Sequence, residues 1–71
     1  NTVINLSLLL LLRMRKYRVE SYDNLRGYSK KAVVGGDVLF LPAMNFLYLI
    51  GRVDYRPKID SFEYVGPNET I

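Results

Sequence analysis

The sequence predicts a small α+β domain: three helices followed by a two-stranded β-hairpin. Three observations carry that expectation. The first forty-one residues are rich in Leu and other strong helix formers and contain no Pro. Gly35-Gly36 and Gly51 mark breaks between periodic stretches. After Gly51 the apolar spacing changes from helical to strict alternation. The 71 residues form one domain, placed at residues 1–66, with 67–71 a flexible C-terminal tail. Because the chain begins at Asn1 rather than Met, further residues are expected before it.

The first helix is expected from about Thr2 to Tyr17. Five consecutive leucines, Leu8 to Leu12, point in every direction around its axis. Two readings fit: a central helix of a very small core, or a helix shared with a partner protein. The second helix is expected from Tyr22 to about Ala32. Ser21 suits its N-cap, Asp23 its first turn, and Lys30 and Lys31 its last turn, where the dipole favours cations. Tyr22, Leu25 and Tyr28 supply its apolar face. Beyond Gly35-Gly36, Asp37 could cap a helix starting at Val38. The preferred alternative is an extended piece to Leu41, with Pro42 at the first helical position. Either way the third helix ends at Gly51, a natural C′ residue.

Arg52 to Tyr55 and Ser61 to Val65 alternate apolar and polar across a turn-rich connection, Arg56 to Asp60. Val53, Tyr55, Phe62 and Tyr64 would share one face of the hairpin. Three helices and a hairpin make the winged-helix arrangement, a variant of helix-turn-helix. The extended piece near Val38 to Phe40 would add a third strand.

A chain this short buries only roughly 60% of its unfolded surface, so small domains lean on disulfides, metals or partners. There is no Cys and no His. Disulfides, imidazole catalysis and Cys nucleophiles are therefore excluded, and zinc would have carboxylates alone as ligands. The remaining candidates for acid–base work are Asp54, Asp60 and Glu63, with Asp23 and Asp37 further away. All but one sit beside basic, aromatic or turn residues and read as solvated surface. No catalytic residue, cofactor, metal or small-molecule ligand is expected. Two Asn-x-Ser/Thr triplets, Asn5-Leu6-Ser7 and Asn68-Glu69-Thr70, read as chance, the first because its helix is apolar. Neither Leu8–Leu12 nor Val38–Ile50 reaches the twenty or so apolar residues a bilayer span needs. A cytoplasmic chain with no membrane contact is expected.

Does it read DNA? In a winged helix the third helix would enter the major groove, which requires polar side chains on its outer face. Here only Asn45 and Tyr48 could hydrogen-bond, amid Phe46, Leu47, Leu49 and Ile50. That face reads as packing against protein. The candidate partner interface is Leu8, Leu9, Leu11, Leu12, Phe46, Leu49 and Ile50. Seven of the ten basic residues fall between positions 13 and 31. The candidates for sequence-independent phosphate contact are Arg13, Arg15, Lys16, Arg18, Lys30 and Lys31, with Arg56 and Lys58 at the hairpin turn. The plainer reading of the cluster is dipole complement and solubility. The six tyrosines read mainly as packing residues.

Leu41 to Tyr55 resembles the small middle components of bacterial ABC three-component systems. The pattern is Ala-x-x-Phe-Leu-x-x-Leu-Gly-Lys-Ile-Glu-Tyr. Ala43, Phe46, Leu47, Gly51, Val53 and Tyr55 stand at matching places, with Ile50 where Leu is common and Arg52 and Asp54 for Lys and Glu. Asp60 to Val65 is similar to the closing strand. The resemblance implies a winged-helix adaptor linking an SMC- or Rad50-like ABC ATPase to an effector, often a nuclease, in Lamassu-like anti-phage defence. It transfers no catalytic residue. The rival expectations are a stand-alone DNA-binding regulator, dimeric by preference, and a membrane-active peptide using the leucine run.

Overall fold

Periodicity within the leucine run settles how the first helix lies. The computed structural model describes residues 2–66. The tail at 67–71 and the Asn68-Glu69-Thr70 triplet lie outside the described residues. Helix α1 spans Thr2–Tyr17, and Leu6, Leu10 and Met14, spaced by four, are fully buried along one face. Leu8 and Leu12 point away from that face and are more than half exposed. Helix α1 is thus covered on one side by this chain, and is not a central helix.

Arg18 ends α1 in a left-handed conformation, φ 70°. Its N–H donates to the Met14 carbonyl and its own carbonyl accepts from the Tyr64 N–H, both at 2.7 Å. The chain then forms a short strand β1, Val19–Ser21. Helix α2 follows directly at Tyr22–Ala32. The Ser21 hydroxyl caps it, accepting from the Asn24 N–H at 3.1 Å, as its sequence position suggested.

Gly35, at φ 75°, turns the chain into α3, Gly36–Leu49, which is inclined at 119° to α2. At Gly36 the two helices nearly touch: a Cβ there would sit 1.7 Å from the Ser29 carbonyl oxygen. The expected extended piece and third strand at Val38–Phe40 do not form, and Pro42 does not open the helix. Residues 38–40 are helical and Pro42 lies inside α3. The reason is packing. Phe40, Ala43, Met44 and Leu47 are buried on one helical face that runs through Pro42. The bond Pro42 cannot make would go to the Val38 carbonyl, and both residues are exposed, so water can serve it. The C-terminus of α3 is a Schellman motif: Gly51 at φ 77° donates to the Tyr48 carbonyl and Arg52 donates to the Leu47 carbonyl.

Strands β2, Val53–Arg56, and β3, Ser61–Tyr64, form the expected hairpin, joined by a 3₁₀ turn at Pro57–Ile59. Val53 faces Tyr64 and Tyr55 faces Phe62, as alternation required. The third strand of the sheet is β1, paired antiparallel with β3, so the order is β1-β3-β2. Three helices, a helix-turn-helix angle between α2 and α3, and a closing hairpin give an α+β domain compatible with the winged-helix arrangement. The core joins all layers. Tyr22 meets Phe40 edge-on at 5.1 Å, and Phe62 packs against Tyr22, Phe40 and Tyr55. Every buried side-chain polar atom among the described residues is hydrogen-bonded.

Candidate functional site

The core uses eleven apolar side chains, yet fifteen large apolar side chains among the described residues remain exposed. Such surplus is ordinary when scattered, and informative when contiguous. Here a large part of it is contiguous. Helices α1 and α3 pack side by side, and Ser7 is buried between them, its hydroxyl donating to the Val3 carbonyl at 2.7 Å and lying 3.5 Å from the Ala43 carbonyl of α3. Outside that contact runs a groove lined by Ile4, Leu8, Leu11, Phe46 and Ile50. Its walls are almost wholly apolar.

Four of the expected interface residues, Leu8, Leu11, Phe46 and Ile50, therefore meet in one groove. Leu12 lies one turn beyond Leu8 on the exposed arc of α1, and Leu49, 73% exposed, projects from α3. Leu9 is half-buried and does not line the groove. Ile4 belongs to it and was missed, because a lone Ile at a helix start gives no sequence signal of its exposure. On the opposite flank of α3, Leu41, Asn45, Tyr48 and Tyr55 line a second depression. Asn45 and Tyr48, the two hydrogen-bonding side chains of α3 beyond Pro42, thus lie on the hairpin side.

The basic residues separate into two groups. Arg13 is held within the fold: its Nε donates to Glu20 at 2.8 Å, its Nη2 makes a second bond to the same carboxylate, and its guanidinium lies over the rings of Tyr17 and Tyr28. The bonds to Glu20 are the main cause that raises its pKa. Arg18 covers the Tyr64 ring, and Arg56 pairs with Asp54 on its own strand and with Glu63 across the hairpin. Arg15, Lys16, Lys30, Lys31 and Lys58 form no ion pair among the described residues. Lys16 rests over Tyr17. Lys31 shares a groove between α1 and α2 with Arg13 and Tyr28, while Lys58 sits on the hairpin turn.

The carboxylates are tied up in the same way. Asp54 and Glu63 hold Arg56, and Asp60 accepts the Tyr55 hydroxyl bond, which raises the tyrosine pKa. Asp23 and Asp37 flank Arg26 and Lys30 in a shallow depression beside α2. Among the described residues no three acidic side chains gather to hold a metal ion. No single helix there is long and apolar enough to cross a membrane.

The residues that carry the resemblance to middle components fall into two kinds. Ala43, Leu47, Gly51 and Val53 are explained by the fold, as buried packing or as the left-handed cap. Phe46 and Ile50 are not: they line the groove, 37% and 48% exposed. No curated protein and no solved structure matches the chain. A family model does, over residues 18–65, from the end of α1 through the last strand. That stretch is well over half of the chain, and the chain therefore belongs to the ABC-three component (ABC-3C) system Middle Component 8 family.

Proposed function

We propose that this middle component is a non-catalytic cytoplasmic adaptor that joins an SMC- or Rad50-like ABC ATPase to an effector, a nuclease by preference, in anti-phage defence. The single observation behind this reading is the contiguous apolar face of α1 and α3. Ile4, Leu8, Leu12, Phe46, Leu49 and Ile50 are between 37% and 73% exposed. Covering them is worth about 1 kcal/mol apiece, from the value of a fully buried apolar side chain. Association costs at least about 4 kcal/mol in lost freedom. The face is thus sufficient to anchor a subunit, and further contacts set the affinity. Lys16, Lys30, Lys31 and Lys58, which lack ion pairs within the described fold, are the groups suited to backbone contact with DNA held by the ATPase.

A sequence-reading DNA regulator fits less well. Its third helix would have to present Val38 and Leu49, both about three-quarters exposed, to a polar groove. Co-expression with the system's ATPase and effector tests the adaptor. Leu8→Asp and Leu49→Asp, both on the open face, should abolish co-purification while the variants keep their melting temperature. Retention of intact complexes by both variants would remove the adaptor reading.

A further inference from the structure

The groove between α1 and α3 is a seam with direction, and its direction bears on what fills it. On α1 the exposed Ile4 and Leu8, the half-buried Leu11 and then the exposed Arg15 recur at helical spacing, so they form one stripe. On α3 the matching wall is Phe46 and Ile50, one turn apart. The stripe is apolar for about 11 Å and then ends in a cation, at 1.5 Å of rise per residue. The C-terminal dipole of α1 favours that cation, but no carboxylate among the described residues pairs with it. Arg15 makes no ion pair among the described residues, and α1 contains no acidic residue. The acidic residue of α3, Asp37, lies in the depression shared with Asp23, Arg26 and Lys30 of α2 rather than in the seam. A furrow between two packed helices accepts a third helix by its ridges.

We propose that the α1–α3 seam receives an amphipathic helix of a partner protein, apolar along about two turns and carrying a carboxylate where it passes Arg15. This rests on the adaptor reading and specifies the element that docks. An occupant with a cation at that end would face unrelieved repulsion from Arg15. A strand would leave its backbone groups unpaired against apolar walls.

The test titrates the isotope-labelled full chain with two synthetic helical peptides. Both share one Leu/Ala seam in an Ala-rich background, since short helices are marginal in water. One carries Glu at the terminal seam position and the other Lys. The Glu peptide should bind more tightly, by roughly five-fold at low salt. Its chemical-shift changes should centre on Leu8, Leu11, Phe46 and Ile50. Arg15→Glu should reverse the preference, and the difference should shrink at high salt. Binding of neither peptide, equal binding of both in the parent and in Arg15→Glu, or shifts centred elsewhere would overturn the helical occupant. If neither peptide binds while Leu8→Asp still disrupts the complex, the helix is excluded and the adaptor stands. If the complex survives Leu8→Asp as well as Leu49→Asp, the adaptor falls too.

Discussion

Single residues hold this small domain in shape. Gly36 is where α2 and α3 touch, since a Cβ would lie 1.7 Å from the Ser29 carbonyl oxygen. Gly36→Ala is expected to cost about 3 kcal/mol, the upper range of overpacking, because two backbones must separate. Gly35 next to it has open space but φ 75°, so Gly35→Ala should cost only about 1 kcal/mol, the left-handed penalty. Urea unfolding of the two variants separates steric contact from backbone strain. A stability of about 4–10 kcal/mol is usual at this size, so the first change is a large fraction of the whole. At Tyr55 the hydroxyl donates to Asp60 and the tyrosine pKa is raised above its ordinary value of 10.0. The proton is needed for the bond. Its contribution is therefore complete below the unfolded pKa and is lost as pH rises through the higher folded value. An ultraviolet titration should show one tyrosine ionising later than free tyrosine, and Tyr55→Phe should remove that late component.

At the scale of elements, most of the fold was legible and two pieces were not. Helix α1, helix α2 with its Ser21 cap, the Gly51 stop and the hairpin register all follow from period, caps and turn residues. Strand β1 did not, because Val19–Ser21 is three residues long, too short for a period to show. It exists by pairing with β3, a partner some forty residues away, and Arg18 must adopt a left-handed turn to place it. The start of α3 was misjudged for a related reason. Pro42 is a local signal against a helix interior, and the buried face of Phe40, Ala43, Met44 and Leu47 outweighs it. The proline remains a local cost. Pro42→Ala restores the bond to Val38 and is expected to stabilise the domain by about 1–3 kcal/mol, readable as a higher urea midpoint. The apolar surplus of α1 and α3 was visible in the leucine run. Its arrangement in one groove was not, because that depends on how the two helices pack.

For the whole molecule, the apolar side chains divide into a buried and an exposed population. Leu10 is fully buried and Leu8, two positions away, is 56% exposed. Leu10→Ala should cost about 2–5 kcal/mol of stability, as core truncations do. Leu8→Asp should change stability by only about 0.5 kcal/mol, as surface substitutions do, while abolishing assembly. Under the proposed adaptor function, folding and docking separate along a single helix, which would let a chain of 71 residues with no Cys and no His act by contact. The basic residues divide similarly: Arg13 and Arg56 hold the fold, while Arg15, Lys30 and Lys31 face outward without ion pairs among the described residues.

Side-chain footprinting with hydroxyl radicals, on the chain alone and assembled with its system's ATPase and effector, addresses the docking face most directly. Labelling of Ile4, Leu8, Phe46 and Ile50 should fall sharply on assembly, with Val34 and Ile59, exposed elsewhere, labelled in both states. Equal labelling of the four groove residues in the free and assembled chain, with protection appearing on another surface, would contradict the account.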